Sequence, residues 1–220
     1  MSTIQDPDLL ALALDSSHDL SDIAALRVAY PQSPGLTSLA KVTDHIHPLY
    51  RPFIEASPFC VLATLGPRGL DTSPRGDAPG FVRVAGPKTL LLPDRRGNFR
   101  LDTLSNLLLD PRLALLFLVP GCNEALRVNG RARLSVSPRL LTAFEIQGKL
   151  PASVIVVEVA SVYFQCARAI LRSGLWDAQR HVERSHLPSA GAILACLSEG
   201  GIDGQAYDAA LPARQQTSLY

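Results

Sequence analysis

The chain has 220 residues, 47% hydrophobic and 19% charged. That composition leaves a sizeable core for one large domain, or one domain with appendages, and excludes global disorder. A formal net charge of +1 gives no bulk attraction to nucleic acid or to an acidic membrane surface. No apolar run reaches the roughly 18–20 residues that cross a bilayer, and MSTIQDPDLL has neither the basic nor the continuous apolar region of a secretory signal. Cys60, Cys122, Cys166 and Cys196 are widely spaced with no C-x-x-C pair, a pattern that fits reduced thiols better than disulfides or zinc. A soluble, globular, cytoplasmic protein is expected.

Residues 1–57 read as a helical extension. Asp19 or Ser21 can cap a helix bearing Ile23, Leu26 and Tyr30, which Pro31 and Pro34 end. A second helix opens near Thr37 or Ser38, with Leu39, Val42 and Ile46 on one stripe, and Pro48 breaks it. From Phe59 the period changes. FCVLATL (59–65) is a β-prone apolar run followed by the turn Gly66-Pro67-Arg68-Gly69. LDTSPRGD (70–77), GFVRV (80–84), a turn at Gly86-Pro87 and KTLLLPD (88–94) come next, then RLALLFLV (112–119). ALRVNGRARLSV (125–136) alternates, with Leu126, Val128 and Leu134 on one face and Arg127, Arg131 and Arg133 on the other. SVIVVEVASVYF (153–164) is the last long strand. Six short strands separated mostly by turns predict an antiparallel barrel or sandwich. Helices are expected over 98–110, with Asn98 as N-cap, and over 138–148, 166–176 and 188–197. The final 20 residues are weakly patterned and expected to be partly mobile.

Three polar clusters stand out. PDRRGNFRLD (93–102) joins a strand end to a helix start and brings Arg95, Arg96 and Arg100 beside unpaired helix N–H groups, the makings of an anion site. The same residues also suit an ordinary solvated turn. SPRGD (73–77) puts Arg75 and Asp77 on a strand flanked by turn residues, where a plain surface ion pair is the alternative. RVNGRAR (127–133) lines one strand face with cations that need no function. Lys occurs only at 41, 88 and 149. GC-rich codon usage would produce that excess of arginine, and so would guanidinium forks holding phosphate or carboxylate.

In this order and spacing the clusters resemble the pyridoxamine 5′-phosphate oxidase-like FMN-binding split-barrel family. The resemblance rests on FCVLATL, SPRGDAPGFV, PDRRGNFRLDTL, DPRLALLF, VPGCNEALRVNGRA and FQCARAILRSGLWD, and within the family the chain further resembles a subgroup of uncharacterised flavin proteins. It implies a mainly β (α+β) fold: a six-stranded antiparallel Greek-key split barrel flanked by helices over 58–176, with a helix and tail over 177–220. It also implies FMN as cofactor, a homodimer, a small-molecule substrate or reductant, and no nucleic-acid or membrane partner.

Carried over by position, the resemblance assigns Arg75, Gly76 and Asp77 to the strand that meets the flavin, and Leu92 and Pro93 to the strand packed along it. Asn98 and Arg100 fall at the phosphate turn, where Arg95 and Arg96 compete with Arg100. Arg127, Arg168 and Trp176 fall where a second subunit reaches the flavin. No catalytic residue is named. True vitamin B6 phosphate oxidases carry a substrate-strand Lys, which is missing here, since no Lys occurs between Lys41 and Lys88. Arg184-Ser185-His186 mimics the family's Arg-x-His triplet but lies beyond the last strand. Oxidation of B6 phosphates is therefore not expected. The leading function is an FMN-dependent oxidoreductase; the alternatives are a non-catalytic flavin-binding or sensing protein and a split barrel holding deazaflavin or haem. His45-x-His47 reads as a surface pair rather than a metal site.

Overall fold

The structure, a computed structural model, describes residues 7–220. The chain divides into two compact units, Met1–Leu39 and Ala40–Tyr220. In the first, α1 (Pro7–Leu14) and α2 (Ile23–Ala29) precede the short α3 (Leu36–Ala40). Asp22, rather than Asp19 or Ser21, caps α2, its carboxylate accepting the Ala25 N–H at 2.8 Å. The second predicted helix stops at Ala40, because Thr43 pairs with Val162 in a β-bridge and draws the chain onto the sheet.

The second unit begins with α4 (Arg51–Ala56) and then builds one antiparallel sheet. Its strands are β1 (Phe59–Gly66), β2 (Gly69–Gly76), β3 (Arg83–Gly86), β4 (Thr89–Asp94), β5 (Arg112–Leu118), β6 (Ala125–Ser135) and β7 (Ser153–Gln165). They lie in the order β2-β1-β5-β6-β7-β4-β3. The barrel is split because β2 and β3 are its two free edges. The strand count is corrected from six to seven: Arg83–Gly86 forms its own short hairpin with β4, while Phe81 and Val82 turn into the core as a loop after Gly80, whose φ is +86°.

Alternation fixes the interior. Cys60, Leu62 and Thr64 of β1 and Leu113, Leu115 and Phe117 of β5 point inward and are buried. Burial pushes the Cys60 thiol up to about 12, so this cysteine packs rather than reacts. The opposite faces of these two strands are apolar as well, with Val61, Ala63, Leu116 and Leu118 only half-buried. A strand apolar on both faces is one built to be covered on both.

Helix α5 (Asp102–Leu109) buries Leu107 against the barrel and is tied to β1 by the Asn106 amide, which donates to the Thr64 hydroxyl at 3.2 Å. After α6 (Pro138–Ala143), β7 and α7 (Arg168–Ser173), the helices α8 (Ala190–Leu197) and α9 (Gly204–Thr217) pack together. The weakly patterned final 20 residues hold a helix, α9, that the sequence did not predict. Asp203 caps it, and Asp208 accepts from the Ser189 hydroxyl at 2.5 Å and from the Gly191 N–H at 2.8 Å. These polar ties hold a helix whose apolar pattern is weak.

The β6–β7 ladder shifts register between Asn129 and Gly130. There a Cβ would overlap the Glu158 carbonyl oxygen, whereas a Cβ at Gly86 would meet nothing. Gly130→Ala is therefore expected to cost about 3 kcal/mol in chemical denaturation, and Gly86→Ala close to none. Equal midpoints for the two variants would contradict the close approach.

Candidate functional site

The side chains of β2 alternate, so Asp71, Ser73 and Arg75 share the half-buried face while Thr72, Pro74 and Gly76 face out. That polar face meets the turn over 95–101 and the first turn of α5. Thr103 at the start of α5 joins the two, its hydroxyl 3.1 Å from that of Ser73 and donating to Asp71 at 3.4 Å. Together they enclose a cavity of about 580 Å³, lined by Arg75, Asp94, Arg96, Asn98, Arg100 and Thr103 among others. This size falls within the range of small-molecule and cofactor sites.

The turn is not the helix start that was expected. Helix α5 begins four residues after Asn98, because Asn98 instead accepts the Arg100 N–H at 3.1 Å in a local turn, and Phe99 and Leu101 both take φ 59°. Two non-glycine residues in the left-handed region mark a strained turn. Helix α5 consequently has no side-chain cap, and Asp102, Thr103 and Leu104 of its first turn line the cavity.

Four arginines and three aspartates line the space. Arg100 donates through Nε to Asp102 at 2.7 Å, and this bond holds the Asp102 carboxyl below the usual carboxylate range. Arg75 reaches Asp94 only at 3.8 Å, and its buried Nε has no partner among the described residues. Burial, opposed by Arg75, raises the Asp94 carboxyl. Arg95 is committed elsewhere: Nε donates to Asp77 at 3.1 Å and Nη1 to the Phe144 carbonyl at 2.8 Å. Arg96 makes no hydrogen bond or ion pair among the described residues, and its guanidinium lies 5.9 Å from the Phe99 ring centre.

Of the ten residues read from the sequence, Arg75, Asn98 and Arg100 share this cavity. Gly76 and Asp77 border an adjoining one, and both carboxylate oxygens of Asp77 are occupied, by Arg95 and by the Ala78 N–H and Tyr220 hydroxyl. Leu92 and Pro93 are buried, with the Leu92 side chain inside the core. Arg127 and Arg168 border a separate cavity of about 690 Å³ over the outer faces of β1 and β5. Trp176 borders none of these three cavities and donates its indole N–H to the Cys122 carbonyl at 2.7 Å. Sequence reading missed Ser73, Asp94 and Thr103 as walls; strand alternation pointed to the first, and nothing local pointed to the others.

Arg184-Ser185-His186 forms a single 3-10 turn. The Arg184 fork is spent on the Leu187 and Pro188 carbonyls at 2.9 and 3.1 Å, as befits a local structural triplet.

A seven-stranded split barrel with an arginine-lined cavity at one edge defines the class of protein. Residues 46–166, more than half of the chain, match the pyridoxamine 5′-phosphate oxidase family, and the chain belongs to it. No curated protein matches the chain. Among solved structures it is similar to HupZ from Group A Streptococcus, with 15% identity over 52% of this chain and 89% of that one, at a TM-score of 0.43. It is also similar to a putative pyridoxamine 5′-phosphate oxidase from Lactobacillus delbrueckii, with 16% identity over 55% and 95% and a TM-score of 0.44. General stress protein 26 from Bacillus anthracis matches with 14% identity over 51% and 88%, at 0.39. Among the described residues no helix is long and apolar enough to cross a membrane.

Proposed function

We propose that this chain is a cytoplasmic, homodimeric FMN-binding flavoprotein that acts as an oxidoreductase on substrates other than vitamin B6 phosphates. The observation that carries the reading is the cavity where the uncapped first turn of α5, Arg100 and Arg75 converge. A phosphate monoester suits that donor set, because exposed helix amides and guanidinium forks both favour a dianion. Arg95 is the poorest phosphate ligand of the turn, since its donors are already engaged. Bound FMN would supply hydride-accepting chemistry. The chain would hold the phosphate through Arg100 and Arg75, and Arg127 or Arg131 would supply positive charge near the flavin ring.

Support for the homodimer is the apolar outer face of β1 and β5, which carries Arg127 and Arg168 on its border. A second copy seated there would bury that face and bring those arginines to the edge of its neighbour's flavin.

The visible absorption spectrum of the purified protein tests this reading. Oxidised-flavin bands are expected, bleached by NADH or NADPH and restored by air, with no peroxide formed from either B6 phosphate. Flavin bands that resist every pyridine nucleotide would make the protein a passive binder, and a Soret band would replace FMN with haem. B6 phosphate turnover abolished by His186→Ala would overturn the substrate exclusion.

A further inference from the structure

Beside the cofactor cavity lies a second one, of about 570 Å³, and the two share Arg95 and Arg96 as their common wall. Its far side is the end of α9 and the residues after it: Gln215, Gln216, Ser218, Leu219 and Tyr220. This wall is pinned in place. The Tyr220 hydroxyl donates to Asp77 at 2.7 Å, the Lys149 ammonium donates to the Tyr220 carbonyl at 2.8 Å, and the Arg95 guanidinium lies 5.5 Å from the Tyr220 ring centre. The same contacts decide the charge of the space. Asp77 and Arg95 neutralise each other, so among the described residues lining it the uncommitted charge is the Arg96 guanidinium. Opposite stand two neutral amides, an aromatic ring and a leucine.

We infer that this second cavity is the substrate subsite and that it takes a small organic carboxylate, held at its charged end by Arg96 and along its body by Gln215, Gln216 and Tyr220. A planar carboxylate matches a guanidinium fork in bidentate fashion, and the amides and ring offer hydrogen bonds and an apolar surface to an uncharged body. The inference rests on the flavin reading for the word substrate; the carboxylate site itself does not.

Ligand-observed NMR titration of the full chain, with and without FMN, separates the two. The probes are benzoate, its neutral analogue benzamide, and inorganic phosphate. Benzoate is expected to bind, and benzamide, or phosphate once FMN fills the first cavity, much more weakly. Arg96→Ala should weaken benzoate at least about tenfold, and Gln216→Glu should weaken benzoate as well by adding a like charge. Benzoate affinity unchanged in Arg96→Ala, no benzoate binding at all, benzamide binding as tightly as benzoate, or phosphate doing so on FMN-saturated protein would each overturn the carboxylate subsite. Arg96-dependent benzoate binding by a protein that takes up no FMN would instead overturn the flavin reading and leave the carboxylate site standing.

Discussion

Replacing Arg100 with alanine is expected to weaken FMN binding roughly tenfold to hundredfold while riboflavin affinity barely changes. Riboflavin shares every part of FMN except the phosphate, so the difference between the two ligands isolates the phosphate contact. Arg100 uses Nε on Asp102 at 2.7 Å, and its two terminal nitrogens have no further partner among the described residues. Asp102 keeps a second cation in the variant, because Arg68 also donates to it at 2.9 Å. The Arg100 side chain is exposed, so its loss should leave thermal stability unchanged. Fluorescence titration with both flavins reads the result. Equal loss of both would place Arg100 in support of the turn rather than on the phosphate.

Asp77→Ala is expected to do the opposite, unfolding the protein more easily by about 3–5 kcal/mol. The Asp77 side chain is 3% exposed and the Arg95 side chain 15%, so removing the carboxylate strands a guanidinium that water barely reaches. The Tyr220 hydroxyl and the Ala78 N–H lose their acceptor at the same time. Urea denaturation measures the cost, and Asp77→Ala combined with Arg95→Met should recover much of it, because the stranded charge is then gone. FMN binding under conditions where the single variant remains folded should persist. An Asp77→Ala protein of native stability that no longer takes up flavin would make Asp77 a ligand instead of a brace.

These two residues show what the sequence could and could not convey. Both sit in short polar motifs, and nothing in SPRGD or PDRRGNFRLD says which charges are free. Pairing across the fold decides it: Asp77 meets Arg95, 18 residues on, and Tyr220, 143 residues on. The strands were easier to read, because apolar runs such as FCVLATL and RLALLFLV allow few other conformations, and Gly66 and Gly69 mark a hairpin turn. Arg75 came from the resemblance, and the alternation of β2 sets it on the half-buried face. Helix starts were harder. Asn98 has the chemistry of an N-cap but spends its side chain on the Arg100 amide, so α5 begins at Asp102. Helix α9 has a proper cap in Asp203 but too weak an apolar stripe to announce itself; its attachment comes from Asp208 and from the close approach of Gly191 and Gly204. Arg127 and Arg168 lie apart from Arg75 and Arg100 within one chain, the two sets that the resemblance assigned to opposite subunits.

That separation leads to the most direct measurement, sedimentation velocity of FMN-loaded protein followed in the visible band of the bound flavin. If the apolar face of β1 and β5 seats a second copy beside the flavin, all flavin absorbance should sediment with the mass of two chains, at one FMN per chain, and Leu116→Arg on that face should release flavin and yield monomer together. Flavin sedimenting with a single chain, or a Leu116→Arg monomer that retains its flavin, would contradict the shared site.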